Sequence, residues 1–187
     1  DECGICNGSE FACDQEGACS CSGCTNMSAD NYDVSVTVDD GTCTFTYQVP
    51  SDFLTIQGAI NASNDGDIII VSPGLYIENI TITDNIVLRS VDPLHPDTTI
   101  IEAPESGGTV ISIEHSSPTV SGFTISNGLA DKGGGIAVYN GSPNLSRLLI
   151  IGNKAYYKGG GISLIKSFAE ISYVTVAEND ADLGASL

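Results

Sequence analysis

Gly133-Gly134-Gly135-Ile136 returns 26 residues later as Gly159-Gly160-Gly161-Ile162. Asn127, Asn153 and Asn179 keep the same spacing of 26. One period earlier, Gly107-Gly108 is followed by Val110, where the later copies carry Ile136 and Ile162. A repeat of this size is too small to bury its own apolar face, so each copy must stack on the next. Between the glycine marks the apolar residues come in short alternating runs: Phe123 and Ile125, Leu148 and Ile150, Val174 and Val176. Alternation over so few residues reads as strand. Turn residues such as Ser116-Ser117-Pro118, Asn127-Gly128 and Asn140-Gly141-Ser142-Pro143 separate the runs. No helix-length pattern lies between them, which excludes βαβ units. The expectation is an all-β fold of parallel strands in coils of about 26 residues, roughly five of them.

Ala130, Ala155 and Ala181 are 25 and 26 apart, which predicts one extra residue at Tyr156-Tyr157-Lys158 relative to Asp131-Lys132. Asn127, Asn153 and Asn179 can form a ladder of side chains at one bend, each bonding its copy on the next coil. They can equally be turn residues that tolerate positive φ. The inward positions read from alternation are Ile68, Ile70, Phe123, Ile125, Leu148, Ile150, Ile171, Val174 and Val176. Ahead of the repeats, Leu54, Ile56, Ala59 and Ile60 have helical spacing, and Asn64-Asp65-Gly66-Asp67 ends that helix.

The stretch TIQGAINASNDGDIIIVSPGLYIENITI, with IVLRSV, TTIIEA and GFTISNG after it, resembles the opening of right-handed parallel β-helix proteins of the pectin-lyase-like superfamily. The later GNKAYYKGGGI resembles repeats of secreted and outer-surface bacterial β-helix proteins. The resemblance covers residues 53–187 and implies a right-handed β-helix whose short N-terminal helix, near Ile56 to Ala62, covers the open end of the solenoid. An uncovered end is an unpaired sheet edge.

All the cysteines lie early: Cys3, Cys6, Cys13, Cys19, Cys21, Cys24 and Cys43. The expected division is a Cys-rich acidic module over residues 1–45, a linker over 46–52 and the β-helix over 53–187, incomplete at its C-terminal end. The module has too few aliphatic residues for a core, so staples must replace one. Cys-x₂-Cys occurs at Cys3-Cys6 and Cys21-Cys24, which admits zinc, but His95 and His115 are far away in sequence. Disulfides fit better and place the chain in an oxidising, extracellular or cell-surface setting. Seven cysteines is an odd number, which suggests a partner upstream of Asp1. GCTNMSADNYDVSVTVDDGTC and DECGICNG resemble Cys/Asp/Gly-rich repeats of secreted marine Bacteroidota proteins. That resemblance pairs Cys24 with Cys43.

The net charge is −18 over 187 residues, and no Lys or Arg precedes Arg89. Nucleic acid and anionic membranes are repelled by such a surface, so neither is an expected partner. No apolar run is long enough to span a bilayer. Asp30, Asn31, Asp33, Asp39 and Asp40 supply the oxygen ligands a Ca²⁺ ion needs, without the spacing of an EF-hand. Asn-x-Ser/Thr occurs at Asn7, Asn26, Asn61, Asn79, Asn140 and Asn144, which makes these glycosylation candidates.

The superfamily includes polysaccharide lyases, pectin esterases and polygalacturonases, whose sites need clustered Asp residues, or Ca²⁺ carboxylates and a basic residue, on one sheet. Arg89 followed by Asp92 is the nearest match, and no catalytic residue is assigned. The expected function is a non-catalytic structural or adhesive segment of a large secreted or cell-surface protein. The alternative is the front of a polysaccharide lyase or hydrolase whose active coils lie beyond Leu187. Carbohydrate or cell-surface components are the expected partners, with Tyr139, Tyr156, Tyr157 and Tyr173 as stacking candidates. The remainder of a longer chain is expected to continue the solenoid, because residues 184–187 align with 158–161, inside a repeat.

Overall fold

The structure is a computed structural model in which residues 12–13 and 19–183 are described. The chain divides into two compact units, Asp1–Thr46 and Tyr47–Leu187. The second is an all-β parallel solenoid of about five turns, each of about 25 residues. A six-stranded first sheet runs from Thr46–Val49 and Ile68–Val71 through Val87–Ser90, Thr119–Ser121 and Asn144–Ser146 to Glu170–Ser172. The second sheet stacks Gly74–Ile77, Thr99–Glu102, Thr124–Ser126, Leu149–Ile151 and Thr175–Ala177. A third stacks Ile80–Ile82, Ile111–Glu114, Ile136–Tyr139 and Ile162–Ile165. A short fourth sheet joins Leu129–Lys132, Lys154–Lys158 and Asp180–Ala181.

Register explains why the repeat is visible from Gly107 on and faint before it. Ile101 pairs with Ile125, Ile125 with Ile150 and Ile150 with Val176. In the first sheet, by contrast, Ile69 opposes Leu88 and Leu88 opposes Val120, because loops of unequal length intervene in the first coils. In the fourth sheet Ala130 pairs with Ala155 and Lys132 with Lys158, so two residues, Tyr156 and Tyr157, oppose Asp131 alone. This bulge is the extra residue expected from the alanine spacing.

Inside the coils, aliphatic side chains stack on their copies. Ile69, Leu88, Val120 and Leu145 form one such column, Ile80, Ile111, Ile136 and Ile162 another, and all are buried. Phe123, Ile125, Leu148 and Ile150 are buried as expected. The expected parity fails at Ile68-Ile69-Ile70-Val71, where Ile69 and Val71 point inward and Ile68 and Ile70 are half-buried. A run apolar at every position carries no alternation, so only the partner strand decides the face. Ile171 is 38% exposed, and Val174 and Val176 pack only partly against the core. They belong to the last coil described, where stacking comes from the preceding coil alone.

The helix spans Ile56–Ala62. Thr55 is its N-cap, accepting from the Gly58 N–H at 3.0 Å. Glu78 then accepts from the N–H groups of both Ile56 and Gln57, at 2.9 Å each. Three otherwise orphaned donors are thereby satisfied. Ile56, Ala59 and Ile60 are buried in the solenoid core, but Leu54 is 86% exposed and contributes nothing to it. Leu54 precedes the N-cap, so the helical period does not apply to it.

In the N-terminal unit, Cys24 and Cys43 form a disulfide 19 residues apart, and Ser22–Gly23 pairs in parallel with Val38–Asp39. Cys21 is also disulfide-bonded. Cys3 and Cys6 lie outside the described residues, and no side-chain description extends to Cys13 or Cys19.

Candidate functional site: the corners of the coil and the outer face of the second sheet

From His115 onward the coils turn at three main corners, and these corners have a common conformation. Ser121, Ser146 and Ser172 are in register, so the residues after them, Gly122, Arg147 and Tyr173, occupy one corner in successive coils. Their φ angles are 83°, 52° and 55°. By the same reasoning Asn127, Gly152 and Glu178 form the second corner, with φ of 60°, 67° and 55°. His115, Asn140 and Lys166 form the third, with φ of 55°, 52° and 51°. Among the described residues, every non-glycine residue with positive φ sits at one of these corners. The left-handed conformation costs an ordinary residue about 1–2 kcal/mol, and such outliers gather at functional positions. Arg147, Lys166, Tyr173 and Glu178 are large side chains held there.

The first corner has the richest chemistry. Between Ser90 and Thr99 the chain makes a loop over residues 91–98, where later coils pass from first to second sheet in two residues. Pro96 of this loop accepts a hydrogen bond from Thr124 Oγ1 at 2.9 Å, so the loop lies against the outer face of the second sheet. Gly122 makes room for it: a Cβ there would run into Ser90 Oγ and Pro93. In the next two coils the corner carries Arg147 and Tyr173 instead. The Arg147 guanidinium lies 5.5 Å from the centre of the Tyr173 ring, within the range of a cation–π contact. Among the described residues it makes no hydrogen bond or ion pair. Tyr173 is 83% exposed. Leu94, Pro96, Arg147 and Tyr173 line a hollow of about 450 Å³.

Within the loop, His95 Nδ1 is 2.6 Å from Asp92 Oδ2. This contact holds the Asp92 carboxyl below its usual range and the His95 imidazole above its own. Both groups are solvent-exposed. Of the nearest match to a catalytic candidate, Arg89 donates to the Ser90 carbonyl at 3.4 Å while Asp92 faces His95.

At the other end of the second sheet's strands, by the second corner, Ile77, Glu102, Ala103, Pro104, Glu105, Gly107, Asn127 and Leu129 line a second hollow of about 390 Å³. The outward positions of the sheet, coil by coil, are Leu75 and Ile77, Ile100 and Glu102, Thr124 and Ser126, Leu149 and Ile151, and Thr175 and Ala177. Two of its three hydroxyls are already engaged, Thr124 with Pro96 and Ser126 with Glu102 Oε1 at 3.2 Å, and the third, Thr175, is exposed on the last coil described. The face is therefore aliphatic, with a cation at one side and carboxylates at the other.

The asparagine ladder has two rungs. Asn153, 1% exposed, donates its side-chain amide to Asn179 Oδ1 at 3.0 Å and to the Ile125 carbonyl at 3.0 Å. Asn179 donates in turn to the Ile150 and Ala177 carbonyls. Asn127 is not in this stack. Gly128 opposes Asn153 and gives its N–H to Asn153 Oδ1 at 2.9 Å, while Asn127 occupies the left-handed corner. The cause is a coil of 25 residues between them, which shifts the register by one against the sequence spacing.

The five residues considered for Ca²⁺ are spent on their own loop. Asp33 accepts from the N–H and hydroxyl of Ser35, which holds its carboxyl low. Asp39 accepts from Gly41, and Asp40 from Thr42. Asn31 bridges Thr42 and Thr44, and Asp30 takes the Thr46 hydroxyl. These are Asx turns and short bridges. Among the described residues no three His, Cys, Asp or Glu side chains come together to hold a metal.

The glycosylation candidates differ in access. Asn26, Asn61, Asn79 and Asn140 are exposed, Asn144 is half-buried in a strand, and Asn7 lies outside the described residues. The side-chain nitrogen of Asn79 is held by the Thr109 carbonyl at 2.7 Å. The four tyrosines do not form one platform. Tyr173 stands at the first corner, Tyr156 and Tyr157 on the fourth sheet and Tyr139 at the end of the third. No helix among the described residues is long and apolar enough to cross a membrane. No protein-family model, no curated protein and no solved structure matches this chain.

Proposed function

We propose that the chain is a non-catalytic binding segment of a secreted or cell-surface protein, a rigid solenoid that presents the outer face of its second sheet to a partner. On this reading the solenoid is a right-handed β-helix of the pectin-lyase-like kind, with its short helix as the N-terminal cap. The Cys24–Cys43 disulfide and the acidic surface suit an extracellular setting.

The observation that carries the reading is the Arg147–Tyr173 pair. Two large side chains sit in a conformation that glycine would adopt more cheaply, and they touch each other over an open hollow. Nothing in the fold requires them there, since Gly122 serves the same corner in the preceding coil. An acid–base constellation is not what surrounds them. The nearest pair, Asp92 and His95, is exposed to solvent, with the histidine locked to the acid.

The test is to incubate the intact chain, with millimolar Ca²⁺, with pectin, alginate and other acidic polysaccharides. The expected result is no new reducing ends and no unsaturated product. Turnover that disappears in Arg89→Ala or Asp92→Ala would overturn the non-catalytic reading.

A further inference from the structure

We propose that the outer face of the second sheet binds an extended peptide segment carrying a carboxylate and a basic side chain about five residues apart. This rests on the reading of the chain as a binding segment and names its class of ligand.

Three observations point to a peptide. The floor is aliphatic: Ile100, Leu149 and Ile151 are half-buried on the coils of the two charges, and Leu75, 56% exposed, and Ile77, 61% exposed, continue it on the preceding coil. Sugar rings are polar around their rims and need donors and acceptors, whereas the hydroxyls between the two charges, Thr124 and Ser126, are already bonded within the protein, and the exposed Thr175 lies beyond Arg147 on the next coil. Apolar side chains on one side of an extended peptide satisfy such a floor. The two sides then differ in charge. Arg147 offers an unpaired guanidinium in one hollow, and Glu102 and Glu105 line the other. A ligand with a single kind of charge matches one side and is repelled by the other, and a neutral ligand leaves both unused.

The spacing follows from register. Glu102 is level with Ser126 and Ile151, two coils before and four residues along from Arg147. Four residues at about 3.3 Å and two coils at about 4.8 Å place the two Cα atoms roughly 16 Å apart. An extended peptide covers that in about five residues. The Arg147 guanidinium takes the peptide's carboxylate, with Tyr173, Leu94 and Pro96 holding the adjoining apolar atoms. Glu102 and Glu105 take its ammonium or guanidinium.

The experiment is isothermal titration of the intact chain with a blocked hexapeptide: glutamate, then threonine, valine, threonine and valine, then lysine. The peptide with its charges reversed end for end is titrated too. The expected result is saturable binding of one of the two that weakens with salt. The analogue with glutamine for glutamate should bind roughly fivefold more weakly, as should the one with methionine for lysine. Arg147→Gly keeps the left-handed corner and should abolish the preference for glutamate over glutamine while leaving that for lysine over methionine. The Glu102→Gln, Glu105→Gln double variant should do the reverse. Binding indifferent to both charges, or altered equally by both variants, overturns the proposal. If oligogalacturonate or cello-oligosaccharides bind and Tyr173→Gly abolishes it, the peptide class is wrong and the binding role stands. If no peptide and no glycan binds, both fall.

Discussion

In the solenoid, stability comes from columns such as Ile69, Leu88, Val120 and Leu145, each buried against its copy in the neighbouring coil. Among its described residues the N-terminal unit contains nothing comparable. Cys24 and Ala29 are its buried apolar residues among those described, and its order comes from Asp33, Asp39, Asp40 and Asn31 bonding nearby backbone, closed by the Cys24–Cys43 bridge. One unit is built on burial that grows with every coil added. The other is built on local turns, which are individually weak in water and rely on the covalent loop to hold them together. The difference also separates what each unit can offer a partner. The solenoid keeps its fold inside and presents corner side chains such as Arg147 and Tyr173 to solvent, whereas Asp33, Asp39, Asp40 and Asn31 of the small unit bond their own turns.

The comparison breaks most visibly at Ile150. Ile150→Asp places an unpaired carboxylate between Ile125 and Val176, at a cost of several kcal/mol. The solenoid should lose its cooperative thermal transition, and the Cys24–Cys43 bridge should still form. A melt within a few degrees of the unmodified chain contradicts the inward assignment.

Asn153→Ala comes next. It removes a buried amide that bonds Gly128, Ile125, Ile151 and Asn179, leaving several backbone groups unpaired. A loss of about 2–3 kcal/mol in denaturant unfolding is expected. Asn127→Ala should lack that hydrogen-bond penalty, so equal losses at the two positions would contradict the shifted register.

Lys166→Gly is a smaller change in the other direction. It relieves a left-handed corner of about 1–2 kcal/mol and adds glycine's own entropy cost of about 0.5–1 kcal/mol, so a gain of roughly 0.5 kcal/mol is expected. Destabilisation at this corner would mean the lysine has a structural role.

The smallest effect is at Asp92 and His95. Raised in the folded chain, the His95 pKa contributes stability below its unfolded value, lost as pH rises through the folded one. Asp92, lowered, contributes above its unfolded value, and that is lost as pH falls through the folded one. The pair therefore acts fully only between the two unfolded values, from above about 4 to below about 6.5. An NMR titration of Asp92→Asn should show the His95 midpoint moving down, and an unmoved midpoint would rule out the pairing.

Much of the solenoid was legible because Gly133–Ile136 and Gly159–Ile162 repeat and because alternation at Phe123, Ile125, Leu148 and Ile150 names the inward face. Ile68–Val71 was not legible, since four apolar residues in a row carry no parity. The site was mostly hidden. Arg147 and Tyr173 belong to one corner only through the register, and Leu94 and Pro96 reach it through a loop whose path no periodicity describes. One signal was present: Gly122, Arg147 and Tyr173 are 25 and 26 apart, like the alanines. A glycine aligned with two large residues hints that all three share its conformation.

Hydrogen exchange on the intact chain, before and after reduction, tests most directly whether the two units are held by different means. The account predicts slow exchange at Ile125, Ile150 and their strand neighbours, unchanged by reductant. It predicts that the amides of Ser35, Gly41, Thr42 and Thr44 lose protection once Cys24–Cys43 is reduced, by about 3 kcal/mol on the chain-entropy estimate. Protection of those amides that survives reduction, or a solenoid that loosens with them, would contradict it.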